Sequence, residues 1–314
     1  MTWQPKVSIG VPLYNAEGHV ATALGSLAAQ THPNLEIVVS DNHSTDGTYA
    51  ACLAFAQRNP LVRVFQQPRN IGAIGNFNYV LAQATGKFFL WAAHDDLRDP
   101  TYVAECVAAL DRQPSANVAQ SQVRLMDQRG RMLETVYRKE LSDDADPIAR
   151  FDAVLNTHWW THVIYGLFRR DFLVRANGYP RLVGGDKVLV ANAVLVHGVA
   201  YVDRPLFTYK VDVDDHGQQL EKKSWYVSPR ATTSFVARHF PYTDVLLGYL
   251  RVMANSSLGA LAKGQALAHL ARWYGVEIAM MKNLEKLSMA FPRLRAGTAL
   301  PRRLLRNLRH RKMV

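Results

Sequence analysis

The sequence predicts an α/β protein built on a mostly parallel sheet, and three observations predict it. Short β-rich runs alternate with helical patterns through the first half of the chain. One of these runs, residues 35–40, is nearly continuous in apolar residues, as expected of a strand covered on both faces. Polar loops follow four successive strands, and in an open α/β sheet the loops at the carboxyl ends of the strands build the binding crevice.

The elements follow in order. Residues 7–13 read as a strand and 16–30 as a helix with Val20, Leu24 and Leu27 on one face. Residues 35–40 form the second strand, 46–58 a helix, 62–66 the third strand and 74–84 a helix, with Gly86 at its C-terminal cap. Residues 87–92 form the fourth strand. Asp99 is expected to cap the next helix, with Pro100 in its first turn and its end near Arg112. Beyond residue 116 the pattern predicts a strand over 118–126, a turn over 127–130 and a polar, mobile connection over 131–146. It then predicts a helix over 147–156, a strand over 163–168, a helix over 187–197 and a strand over 199–211 interrupted by Pro205. From about residue 221 to 287 the chain reads as mainly helical.

Composition narrows the class. The chain has 314 residues, 48% hydrophobic and 20% charged, which suits an ordinary folded protein and excludes a disordered one. Cys52 and Cys106 lie in apolar helical stretches and read as reduced core thiols, and no Cys/His spacing suggests zinc. The N-terminus lacks the basic and apolar regions of a signal peptide, and no run reaches the ~18 apolar residues of a spanning helix. The expectation is a cytoplasmic protein that does not cross a membrane. The net charge is +11, and residues 285–314 carry nine basic residues against the single acid Glu285. The excess therefore forms a tail and not a nucleic-acid-binding face.

The chemistry sits in the four loops. They are Pro12-Leu13-Tyr14-Asn15, Asp41-Asn42-His43-Ser44-Thr45-Asp46-Gly47-Thr48, Arg69-Asn70-Ile71-Gly72 and His94-Asp95-Asp96. Turn chemistry alone explains any one of them, and Ser44, Thr45 or Asp46 could cap the next helix. Four in register at one sheet edge are not explained by stability. Asp95 and Asp96 are the sharpest pair: adjacent acids at the end of an apolar strand repel and cost desolvation energy unless a cation or donors compensate. A hard divalent ion held by one or two carboxylates and substrate phosphates removes that cost.

The runs VSIGVPLYNAE, VVSDNHSTDGT and PRNIGAIGNFNYVLAQATGKFFLWAAHDD, in this order, closely resemble the inverting family 2 glycosyltransferases, and the resemblance covers about residues 6–215. It implies a GT-A fold, a Rossmann-like nucleotide-diphospho-sugar transferase with a mixed sheet flanked by helices. On that basis residues 1–215 form the catalytic domain, and 216–314 a helical C-terminal region with a basic amphipathic tail. The resemblance implies that Asp41 contacts the nucleobase, that Pro12, Tyr14 and Asn15 lie near base and ribose, and that Ser44, Asn70, Gly72 and Asp95 line the donor site. It further implies that Asp95 and Asp96 hold Mg²⁺ or Mn²⁺ against the diphosphate. One departure is plain: many members read Asp-x-Asp-Asp where this chain reads Ala93-His94-Asp95-Asp96. His94 stands as a third ligand, a phosphate donor or a packing residue, the last two favoured.

Inversion needs a general base on the acceptor hydroxyl. The family supplies it from an acid at the start of a helix after a basic pair, which here follows Arg169-Arg170 and falls on Asp186, with Gly185 in place of the neighbouring acid. A helix N-cap role for Asp186 is compatible with this. His216 is a candidate metal or phosphate contact, and Trp159 and Trp160 candidates to stack on an acceptor sugar. The expected partners are a nucleotide-sugar donor, UDP-sugar favoured, and a carbohydrate or lipid-linked acceptor in cell-surface polysaccharide or glycolipid assembly. Leu304, Leu305 and Leu308 among the tail arginines suit an interfacial helix on an anionic membrane, hence peripheral docking on its inner face. A sugar nucleotidyltransferase would show a Gly-rich phosphate loop near the N-terminus, which is absent. A nonenzymatic basic module for membrane or nucleic acid leaves Asp41, Asp95, Asp96 and Asp186 unexplained.

Overall fold

The computed structural model describes residues 4–127, 129–137, 139–156, 162–182, 184–211 and 241–277. Strands β1 (Val7–Leu13), β2 (Leu35–Asp41), β3 (Val62–Gln66) and β4 (Phe88–Trp91) alternate with helices α1 (Glu17–Ala28), α2 (Thr48–Ala56) and α3 (Ala73–Gln83). Then come β5 (Leu97–Arg98), α4 (Tyr102–Arg112), β6 (Val118–Asp127), β7 (Met132–Val136) and α5 (Pro147–Asn156). They are followed by β8 (Leu167–Arg169), α6 (Arg170–Arg175), α7 (Gly185–Val194) and β9 (Ala200–Val211), and finally by α8 (Pro241–Asn255) and α9 (Ala260–Arg272).

The strands form one sheet in the order β3-β2-β1-β4-β8-β6-β9-β5, with β7 added to β6. β1 to β4 are mutually parallel. β8 runs antiparallel to both β4 and β6, so β6 and its parallel partner β9 point the same way as β1. Only β5, β7 and β8 run against that direction among the described strands. This is the mixed sheet expected of the GT-A fold.

Alternation along the strands sorts side chains into two cores. Val7, Ile9, Val11 and Leu13 of β1, with Phe88 and Leu90 of β4, pack under α1, α2 and α4. Val38, Phe89, Trp91 and Phe168 pack on the other face under α3, α5, α7, α8 and α9. Each fully buried Leu, Ile or Phe contributes about 1.5–3 kcal/mol relative to exposure, so both faces of the sheet are tightly fixed. Cys52 and Cys106 lie in the first core as free thiols, and burial pushes each up to about 12.

Two buried charges pin the frame. At the amino edge of the sheet, the Glu36 carboxylate accepts bonds from Ser8 Oγ at 2.5 Å, Thr85 N at 2.7 Å and Lys6 Nζ at 2.9 Å. Arg150 is 2% exposed and donates to the carbonyls of Ser142, Asp143, Ala145, Val194, Leu195 and Val196. It thereby fastens α5 to the C-terminal end of α7.

Several expectations are corrected. Asp99 does not cap α4: no side chain caps that helix, and the Asp99 carboxylate pairs with Arg124 of β6. Gly86 is not the cap of α3, which ends at Gln83. An added Cβ there would meet Lys6 O, Phe88 O and Ser8 N at 2.8 Å, so Gly86 serves the close approach of β1 and β4. Residues 131–146 hold β7 and a 3-10 turn (Lys139–Leu141), not a bare connection. Residues 163–168 divide into a 3-10 turn (His162–Tyr165) and the short β8, and α7 begins two residues earlier than expected. In the C-terminal region the described residues are mainly helical, as expected. Among the described residues no helix is long and apolar enough to cross a membrane.

Candidate active site

β1, β2 and β3 end level with one another, since Leu13 pairs with Asp41 and Asp41 with Gln66. β4 ends lower, with Trp91 beside Gly10, three residues or about 10 Å short of Leu13. The turn carrying His94, Asp95 and Asp96 therefore rises through a step in the carboxyl edge.

The first three loops are tied to one another by side chains. Asn15, at φ 49°, accepts from Thr45 N at 2.9 Å, and its own N–H donates to Ser44 Oγ at 2.9 Å. The carboxylate of Asp41 is fully buried and accepts from the Ser44 hydroxyl and amide and from Gln66 Nε2. Asn42, 2% exposed, accepts from Ile71 N at 2.9 Å and donates to Asn70 Oδ1 at 3.0 Å. Asn70 Oδ1 also takes the amide of Gly72, whose φ of 79° suits glycine just before α3. Beneath them Asn76 of α3 donates to Leu13 O and Ser40 O and accepts from Ser40 Oγ. The capping alternative is met in part: Asp46 accepts the Thr48 amide at the start of α2, while Ser44 serves Asp41 and Asn15. Pro12 and Tyr14 stand at the rim, Tyr14 with 37% of its surface exposed.

The acid turn is electrostatically unbalanced. Asp96 is 1% exposed; its Oδ1 accepts Lys210 N at 3.3 Å, and its Oδ2 has no hydrogen-bond partner among the described residues. Burial, and then the charge of Asp95, push the Asp96 carboxyl up to about 8 against the pull of Arg98 and Lys210. The Asp95 side chain is half-buried, and His94 Nδ1 stands 4.0 Å from its Oδ1, beyond hydrogen-bond reach. The His94 ring lies 5.9 Å from that of His19 on α1. An orphaned buried carboxylate oxygen beside a second carboxylate suits a hard divalent cation. No cluster of three or more His, Cys, Asp or Glu is placed to hold a metal among the described residues, so donor oxygens and water would complete the shell.

Asp186 reaches the same edge by the direction of α7. The C-terminal end of that helix meets the foot of β6, where Asn117 Nδ2 donates to Ala193 O at 3.3 Å. At its other end Gly185 packs against Pro180 O, and the neighbouring Tyr179 ring lies 5.9 Å from that of Trp91, the last residue of β4, so the first turn, with Asp186, lies toward the carboxyl edge. Its negative charge is felt by the buried Tyr249 of α8. No side chain caps α7, so Asp186 is not an N-cap. Trp159, Trp160, His216 and the basic tail lie outside the described residues.

Sequence reasoning passed over Asn42, Asn76 and Arg98. Asn42 was visible inside its loop, but nothing local marks it as the clamp on Asn70. Arg98 is 4% exposed, and a basic residue two places after an acid pair was the available signal.

A parallel sheet edge carrying cross-tied polar loops and an acid turn, with an acid-bearing helix alongside, is the architecture of the GT-A glycosyltransferases. S. aureus TarS in complex with UDP-GlcNAc superposes with a TM-score of 0.64 at 20% identity, over 88% of this chain and 78% of that one. The Pyrobaculum calidifontis mannosyltransferase PcManGT, in complex with GDP-Man and Mn²⁺, gives 0.57 at 19% identity, over 100% of this chain and 82% of that one. The chain belongs to glycosyl transferase family 2, whose profile matches residues 8–170. Similar sequences include the uncharacterized glycosyltransferase YibD of Escherichia coli K12, 30% identical over 177 residues, 55% of this chain and 51% of that protein. Another is the uncharacterized glycosyltransferase RT0329 of Rickettsia typhi, 30% identical over 148 residues, 45% of each. The chain spans about half the length of these two relatives.

Proposed function

We propose that this glycosyltransferase moves a sugar, with inversion, from a nucleoside diphosphate donor to an acceptor hydroxyl in cell-surface polysaccharide or glycolipid assembly. A UDP-sugar is the favoured donor. The observation that carries the reading is the buried Asp96, with an unsatisfied oxygen, beside Asp95 at the step in the sheet edge.

In this reading Asp41, Ser44, Asn70 and Gly72 shape the nucleoside end of the crevice with Pro12, Tyr14 and Asn15. Asp95 and Asp96 hold Mg²⁺ or Mn²⁺. The bound ion supplies positive charge against the negative charge that grows on the leaving diphosphate. Asp186 accepts the proton of the acceptor hydroxyl as that oxygen attacks the anomeric carbon from the side opposite the diphosphate. His216 is a further candidate contact to ion or phosphate. The protein is proposed to work in the cytoplasm, docked peripherally on the inner membrane face through the basic tail. Deleting residues 295–314 should then abolish sedimentation with anionic liposomes.

The test of the site uses two variants. Asp95→Ala and Asp186→Asn should each lower transfer by at least about 10²-fold. Only Asp95→Ala should weaken Mn²⁺-dependent nucleotide binding in calorimetry or thermal-shift assays. Near-normal turnover of Asp186→Asn with the true acceptor refutes the base assignment. Metal-independent nucleotide affinity in the parent protein refutes the ion's role.

A further inference from the structure

We propose that Arg98 is a positioning residue that makes uptake of the divalent ion conditional: with its guanidinium in place, Asp95 and Asp96 take the ion only together with a nucleoside diphosphate. The inference rests on reading those two acids as the ion's ligands.

The geometry is specific. Arg98 lies two residues beyond Asp96 and is 4% exposed. Its Nη2 reaches back to Trp91 O at 3.0 Å, the last residue of β4, and to Tyr165 O at 3.2 Å. The guanidinium thus closes the base of the turn whose upper part carries the acid pair. It is held over the Phe207 ring at 4.7 Å and the Tyr102 ring at 5.4 Å. β5 keeps it there by pairing Arg98 with Phe207 and Leu97 with Thr208 of β9. Its Nε and Nη1 have no partner among the described residues, so its charge is not consumed by hydrogen bonds on those two atoms.

The charge count decides the effect. Even with both carboxylates ionised to take the ion, the buried guanidinium offsets about one of their two charges, and Lys210, which also pulls on Asp96, offsets more; Ala93 adds no charge. An incoming divalent ion is repelled by Arg98 twice as strongly as a monovalent one, in a site where solvent screens poorly. Two carboxylates offset by that repulsion give little reason for the ion to shed its water. A diphosphate reverses the balance: it brings oxygen ligands and negative charge to the ion, and Arg98 then attracts the anion.

The test is Mn²⁺ binding to the full chain, read from the electron paramagnetic resonance signal of free Mn²⁺ at fixed pH, with and without UDP. The parent protein should bind Mn²⁺ at least about tenfold more tightly with UDP than without it. Arg98→Met should acquire UDP-independent Mn²⁺ binding, about tenfold tighter than the parent, and Arg98→Lys, which restores the charge, should keep the parent's dependence. Equal Mn²⁺ affinity of the parent with and without UDP overturns the proposal, and needs no variant to fold. So does an Arg98→Met protein of native circular dichroism that gains no Mn²⁺ affinity. Absence of Mn²⁺ binding even with UDP refutes the Asp95–Asp96 ligand reading instead.

Discussion

Arg150→Met tests whether a buried arginine held by main-chain carbonyls stabilises this protein. The side chain is 2% exposed and donates to six carbonyls, three of them on residues 194–196 at the end of α7. Those carbonyls carry the negative end of the helix dipole, which favours a cation. The bonds to Val194 O and Val196 O are 2.8 Å long, and the bond to Ala145 O is also close. With about 1.5–3 kcal/mol for a hydrogen bond to a charged group, these three are worth roughly 4.5–9 kcal/mol. Burial of the methionine side chain returns about 1.5–2 kcal/mol. The net loss is about 3–7 kcal/mol, or a fall in Tm of about 5–10 °C at roughly 1.5 °C per kcal/mol for 314 residues. Differential scanning fluorimetry reads it directly. A fall below about 2 °C would show that the carbonyls find water or each other at little cost, and would refute the reasoning. Because α7 carries Asp186 at its other end, turnover should drop while nucleotide affinity, set by loops on β1 to β3, stays unchanged.

Glu36→Gln probes the opposite edge of the sheet. Burial raises the Glu36 carboxyl, but hydrogen bonds from Ser8, Lys6 and Thr85 outweigh it and hold it down at about 2, against an ordinary 4.5. A depressed folded value means the stabilisation is present above the ordinary value and is lost as pH falls from 4.5 toward 2. Allowing for screening of the partly exposed Lys6 and Arg63, the variant should lose about 2 kcal/mol at neutral pH. Its Tm curve should converge on the parent's below pH 4, and parallel curves would refute the linkage. Asn42→Ala should free the third loop by removing the bonds to Asn70 and Ile71. Nucleotide Kd by calorimetry is expected to rise about tenfold with only a few degrees of Tm loss, and unchanged affinity would show that the clamp does not shape the site.

Much of this fold was legible where local physics decides it. β1, β3 and α5 fall on their expected bounds because short β-rich runs and one-sided helical periodicity need no distant partner to declare themselves. β5 was invisible for the converse reason: two residues carry no periodicity, and Leu97 and Arg98 are a strand only because Thr208 and Phe207 lie beside them. β7 was read as a connection since its residues are almost all exposed on an edge pairing with β6 alone. Asp99 had the chemistry of a cap, but Arg124, distant in sequence, offered it a charged partner.

The candidate site divides along the same line. By itself the sequence determined the acid turn, the polar loops and the family they mark, because turn chemistry and the cost of adjacent acids act over a few residues. Only the tertiary structure decided that Asp96 is buried with an unsatisfied oxygen, that Asn42 clamps the third loop, and that Arg98 folds back under the turn it follows. Burial and long-range hydrogen bonding are properties of the packed sheet, and no local pattern reports them.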